Sequence, residues 1–206
     1  MLTGIENIVF DLGGVIINLN HELTWRAFKA HFPTNFTALH QQIKNNQLLE
    51  RFETGKIESS TFTHFFIENS SMSHHEVIEA WNSMLLDLPD ERIQLIKRLS
   101  KKYRLFLLSN TNEIHYSFIE NMYHTKENNN FSTLFEKCYL SFQVGFRKPE
   151  KEIFEHLIKT SNLNPSKTLF IDDTAEHIVS AKSIGIKSVF LDINNNQSIN
   201  SLLNEY

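Results

Sequence analysis

Short apolar runs that stop abruptly at polar residues recur along the chain. Ile8-Val9-Phe10 ends at Asp11, and Leu105–Leu108 ends at Ser109-Asn110. Tyr139-Leu140 ends at Ser141, Leu169-Phe170-Ile171 at Asp172-Asp173, and Val189-Phe190-Leu191 at Asp192. Runs this short with both faces apolar predict buried parallel strands. Helical spacing fills the gaps between them. Glu91–Lys102 carries Ile93, Leu95, Ile96 and Leu99, with cations near its end where they suit the helix dipole. Pro149 opens a second helix, with Ile153, Phe154, Leu157 and Ile158 on one face. Thr174 caps a third, which runs through Ile178, Ala181 and Ile184 and stops at Gly185. Helices alternating with short buried strands predict an α/β fold with a doubly wound parallel sheet.

One stretch breaks the alternation. From about Asn20 to Asp87, apolar positions such as Leu23, Phe28 and Phe32, then Phe62, Phe65 and Phe66, then Val77, Ile78 and Trp81 keep helical spacing with no buried strand. The expected organisation is therefore a core of residues 1–19 and 88–206 with a helical-bundle cap, residues 20–87, inserted after the first strand.

The chain has 206 residues, enough for one large domain or a domain with an appendage. Twenty Lys+Arg against 24 Asp+Glu gives a net charge of −4, which argues against a nucleic-acid binder and leaves room for a locally positive site. The single cysteine, Cys138, permits no internal disulfide and fits a reducing, cytoplasmic compartment. No apolar run approaches the roughly 18 residues of a membrane span, and no basic residue precedes Arg26, so neither a membrane segment nor a signal peptide is expected.

In an open parallel sheet, ligands bind beyond the carboxyl ends of the strands. Asp11, Ser109, Asn110, Asp172 and Asp173 would converge there although they are far apart in sequence. Three carboxylates together repel unless a cation neutralises them, and hard oxygen ligands at an open site suggest Mg²⁺. Gly13-Gly14 would let backbone N–H groups approach an anion. With Lys148 at the mouth of a helix, this is an inventory for phosphoryl transfer, with an aspartate as covalent nucleophile.

Four motifs in order resemble the haloacid dehalogenase superfamily of hydrolases, in the subgroup with a helical cap after the first motif, and the resemblance covers almost the whole chain. They are Phe10-Asp11-Leu12-Gly13-Gly14-Val15, Leu108-Ser109-Asn110, Gly145-Phe146-Arg147-Lys148-Pro149 and Phe170-Ile171-Asp172-Asp173. The resemblance implies a Rossmann-like core and a Mg²⁺-dependent phosphatase acting on a small phosphomonoester, such as a sugar phosphate, through an aspartyl-phosphate. It makes Asp11 the nucleophile and a metal ligand, Gly13 a ligand through its carbonyl, and Asp172 and Asp173 further ligands. Leu12, Gly13, Ser109, Asn110 and Lys148 would bind the phosphoryl group, Ser109 and Asn110 through their side chains, with Lys148 balancing its charge.

Two positions depart from the pattern. Where such phosphatases carry a second aspartate as general acid and base, this chain has Gly13, as some capped sugar-1-phosphatases in the family do. General acid–base help is typically worth about 10²–10⁴ in rate. His21 and Glu22 lie nearby in sequence as substitutes. His177 stands where relatives often have Asn. Gly13 also motivates two alternatives: a metal-independent dehalogenase, which the Asp172-Asp173 pair argues against, and a catalytically impaired ligand-binding or regulatory member. Arg147 reads as solvated, Trp25 and Trp81 as packing within the cap, and Phe52–Lys56 as a turn that resembles the family's substrate-contacting cap segment.

Overall fold

The computed structural model describes residues 2–32 and 36–203. Residues 1, 33–35 and 204–206 of the expected core and cap lie outside the described residues. The chain enters strand β1 (Asn7–Phe10) and then passes through five helices: α1 (His21–His31), α2 (Phe36–Asn45), α3 (Leu48–Glu53), α4 (Ser59–Glu68) and α5 (His74–Asn82). Alternation resumes with α6 (Asp90–Leu99), β2 (Arg104–Ser109), α7 (Glu113–Glu127), β3 (Lys137–Leu140), the short α8 (Ser141–Val144) and α9 (Lys151–Thr160). It closes with β4 (Thr168–Asp172), α10 (Ala175–Ser183), β5 (Lys187–Phe190) and α11 (Ile199–Leu203). The five strands form one parallel sheet in the order β3-β2-β1-β4-β5. No helix among the described residues is long and apolar enough to cross a membrane.

The runs are apolar on both faces because the sheet is covered on both. Ile8, Phe10, Leu105, Leu107, Leu169 and Ile171 pack on one side with Ile93 and Ile96 of α6 and Ile119 of α7. Val9, Phe106, Leu108 and Phe170 pack on the other with Ile153, Phe154 and Leu157 of α9 and Ile178 of α10. The successive residues of each strand thus alternate between two cores. The exception is β5. It was expected to be buried at Val189–Leu191 but pairs at Lys187–Phe190 and is half exposed, with Phe190 at 41%. It is an edge strand, and only β4 lies beside it. The helix expected to open at Pro149 opens at Lys151. The Lys148 main chain just before it is held by Asn110.

Helices α1–α5 bury an aromatic cluster of their own. Phe28 stacks on Phe66 at 4.3 Å and Phe52 on Phe62 at 4.2 Å, with Trp81 4.8 Å from Phe62. Such ring pairs add about 0.5–1.5 kcal/mol each beyond the area they bury. The two chain segments that lead into and out of these helices pair with each other. Asn18 N–H donates to Asp87 O at 3.0 Å, Leu86 N–H to Asn18 O at 3.0 Å, and Asn20 N–H to Met84 O at 2.9 Å.

Candidate active site

The order of the strands reverses between β1 and β4, and doubly wound sheets open a crevice at that point. Phe10 pairs with Ile171, so the next residue of each strand, Asp11 and Asp172, lies side by side at the carboxyl edge. Asp11 N–H donates to Ile171 O at 2.9 Å and holds this register one residue past the strand. Ser109 ends β2 on the other flank of β1.

Lys148 arrives from the loop between α8 and α9. Asn110 clasps its main chain twice: Lys148 N–H donates to Asn110 Oδ1, and Asn110 Nδ2 donates to Lys148 O, each at 2.8 Å. The clasp aims a fully buried ammonium between two carboxylates, with Nζ 2.7 Å from Asp11 Oδ1 and 2.7 Å from Asp172 Oδ2. Asp172 is further held by Thr174 N–H at 2.7 Å and by His177 Nδ1 at 3.0 Å. These bonds decide its charge. Burial would raise the Asp172 pKa, but the Lys148 charge and the His177 bond hold it at about 2. Asp11 goes the other way. Burial pushes it up to about 7 against the pull of Lys148, and Asp172 adds to the rise. Burial and Asp172 also raise Asp173.

Carboxylate oxygens of Asp11, Asp172 and Asp173 lie within 4.8 Å of one another. Three carboxylates facing one ammonium leave two negative charges without a partner when all are ionised. This hard oxygen set, with that excess charge, fits a small divalent cation.

A cavity of about 240 Å³ adjoins this rim. Leu12, Gly13, Ser109 and Asn110 line its inner end, and Leu19, Trp25, Leu49, Trp81 and Met84 line much of the rest. Among the described residues, the main-chain N–H groups of Leu12, Gly13 and Asn110 have no main-chain acceptor. The polar side chains deeper in the wall are largely paired with one another. Thr24 Oγ1 donates to Trp81 O at 3.0 Å, and His115 Nε2 lies 3.0 Å from the same oxygen. Asn112 accepts from Trp81 Nε1 at 3.3 Å and contacts His115 Nδ1 at 3.1 Å. Burial lowers the His115 pKa to about 4, so the ring is neutral, and these partners assign its proton to Nε2.

Asp11, Leu12, Gly13, Ser109, Asn110, Lys148, Asp172 and Asp173 thus lie on one rim or on the cavity that adjoins it. Asn110, expected to hold phosphoryl oxygens through its amide, spends both amide atoms on the Lys148 main chain. Leu12 buries its side chain in the core and offers the cavity its main chain. Arg147, read as solvated, is half-buried, with Nη2 3.1 Å from Glu53 Oε2. Trp81 packs among the inserted helices against Phe28 and Phe62, and it also stacks on His115 of α7 at 4.7 Å. Sequence reasoning missed Ser141, whose buried hydroxyl joins Thr111 N–H at 2.9 Å and Thr111 O at 3.0 Å behind Ser109-Asn110. Its position at the end of β3 was the available signal.

The chain is 31% identical over 190 residues to a D-ribitol-5-phosphate phosphatase of Bacteroides thetaiotaomicron, covering 89% of this chain and 90% of that one. It is 24% identical over 194 residues to a sesquiterpene phosphatase of Aspergillus oryzae, covering 93% and 92%. A haloacid dehalogenase-family enzyme of Bacteroides thetaiotaomicron, solved in complex with magnesium and inorganic phosphate, superposes with a TM-score of 0.83 at 32% identity, covering 91% and 94%. The profile of haloacid dehalogenase-like hydrolases matches residues 5–185, a span that holds the aspartate rim, the lysine and all five helices inserted after β1, and the chain belongs to that family.

Proposed function

We propose that the protein is a Mg²⁺-dependent phosphatase that hydrolyses small phosphomonoesters, with sugar and polyol phosphates as the favoured class, through an aspartyl-phosphate on Asp11. The observation that carries this reading is the Asp11–Lys148–Asp172 bridge beside Asp173, a buried site whose negative charge is only partly met. The relative that acts on D-ribitol 5-phosphate supports the sugar-phosphate class. The magnesium and phosphate bound by the structural neighbour support the metal. A metal-independent dehalogenase would have little use for Asp173.

Asp11 is the nucleophile. Lys148 holds it by Oδ1 and fixes the orientation of the carboxylate toward phosphorus. Asp11, Asp172, Asp173 and the Gly13 carbonyl would hold Mg²⁺, which when bound draws off the negative charge of the phosphoryl group. Ser109 Oγ and the N–H groups of Leu12, Gly13 and Asn110 would receive the phosphoryl oxygens as charge spreads over them. Asn110 positions the lysine through its main chain, and His177 and Thr174 hold Asp172 in its ionised form. Residues 20–87 form a cap over the 1–19 and 88–206 core. The paired segments at 18–20 and 84–87 join the two, so the cap excludes water during transfer to Asp11 and admits it for hydrolysis. The unpaired Cys138, its thiol raised by burial to about 11, suits a reducing cytoplasmic setting.

The test is a phosphomonoester panel, including anomeric and terminal sugar phosphates, with Mg²⁺ and with a chelator. Turnover should need Mg²⁺ and should drop by about 10⁴ in Asp11→Asn. Activity that survives in Asp11→Asn, or silence across the whole panel, rejects the reading.

A further inference from the structure

Three ionisable side chains line the cavity: His21, Glu53 and His115. His115 is neutral, and both its ring nitrogens are engaged by Asn112 and Trp81. His21 is exposed and also borders a separate recess beside Gly14 and Asp173, where solvent reaches it. Glu53 differs from both. It is the last residue of α3, its side chain is 25% exposed, and its Oε2 is buried with no hydrogen-bond partner among the described residues. Arg147 Nη2 stands 3.1 Å away and offers charge without bond alignment. Burial raises the Glu53 pKa above its ordinary value, and Arg147 opposes the rise.

The surrounding structure fixes Glu53 against the core. Phe52, its neighbour, is stacked on Phe62. Gly55, in the turn that follows, has φ of 66°, and a Cβ there would collide with the Phe142 carbonyl of α8. The turn after α3 is therefore docked backbone to backbone on the core. Elsewhere in the cavity lining, the place that a side chain at position 13 would take is filled by Leu19, whose Cδ1 would meet any Cβ there. The site has no acid at position 13 and no room for one without moving Leu19.

We propose that Glu53 is the general acid and base of this phosphatase, supplying from the cap the function that Gly13 cannot. The proposal rests on the phosphatase reading above. As Asp11 bonds to phosphorus and the ester P–O bond breaks, the bond pair goes to the leaving oxygen, which takes the Glu53 proton. The resulting carboxylate is paired with Arg147. Water then attacks phosphorus, gives a proton back to Glu53 and frees Asp11 and inorganic phosphate.

The experiment compares Glu53→Gln with the unaltered protein, both with Mg²⁺, on two substrates. One is p-nitrophenyl phosphate, whose leaving group departs without a proton; the other is the primary-alkyl phosphate that turns over fastest in the panel. General acid catalysis predicts that kcat/KM for the alkyl ester falls about 10²-fold while the aryl ester loses no more than about threefold. Aryl turnover also reports that the variant is folded. A loss of equal size on both esters, or no loss on either, overturns the role of Glu53. Failure of the unaltered protein on both esters would instead overturn the phosphatase reading itself, so the two failures are distinguishable.

Discussion

At the carboxyl edge of the sheet, three carboxylates crowd around one ammonium. A few ångströms away, under the helices, the wall of the same cavity is mostly apolar, and most of its polar groups are spent on one another around Trp81. The rim is held by β1, β2 and β4, whose register ties each group to its neighbours. The wall is held by side-chain packing between α5 and α7. Under the proposed function, the chemistry falls where backbone hydrogen bonds fix the groups, and substrate selection falls to the side-chain wall. Glu53, at the end of α3 and open to the cavity, is the point where the two regions meet.

The largest effect should come from taking the ammonium out of the rim. Lys148→Ala leaves Asp11 and Asp172 facing each other in a buried site. Turnover should fall by about 10³, and without metal the variant should lose about 3–5 kcal/mol of stability. Chemical denaturation with and without Mg²⁺ checks it. The loss should shrink when Mg²⁺ is present, and a loss indifferent to Mg²⁺ would break the claim that excess negative charge defines the rim.

A smaller effect on chemistry is expected from the wall. Trp81→Ala removes the stack on His115 and the Nε1 hydrogen bond to Asn112, and keeps the bonds to the Trp81 main-chain oxygen, at a cost of about 3–5 kcal/mol. It leaves the rim untouched, so KM should rise while kcat for the aryl ester stays within about tenfold of normal. Steady-state kinetics on the panel would show it, and a collapse of kcat alone would erase the division between rim and wall.

The smallest effect is a proton count. Asp11, with a pKa of about 7, is protonated in the metal-free protein through pH 4–7, where an unfolded aspartate is ionised. Its contribution to stability therefore declines as pH rises across that window. Asp172, held at about 2, contributes stability that is lost only as pH falls below the ordinary aspartate range. Mg²⁺ binding near pH 7 should displace about half a proton from Asp11. Calorimetry in buffers of different ionisation enthalpy measures it, and the release should vanish in Asp11→Asn.

Periodicity and run length carried most of the fold. Short apolar runs with both faces apolar fit strands of a sheet covered on two sides, and those of β1, β2 and β4 end at residues of the rim. Asp11 and Asp172 could be named in advance because a parallel sheet sends the ends of all its strands to one edge. The exposed β5 was not legible, because its apolar residues encode the strand and not its place at the edge.

The sequence by itself thus determined where the strands end and where the helices are inserted, since both follow from local pattern and from a topology with few alternatives. Only the tertiary structure decided that Asn110 serves Lys148 and that Leu19 fills the space before Gly13. It alone added His115 of α7 to the packing of Trp81 and brought Arg147 to Glu53. Each of these is a pairing across an interface between distant segments. Side-chain direction there depends on how two elements meet, and hydrophobic spacing along one element says nothing about the other.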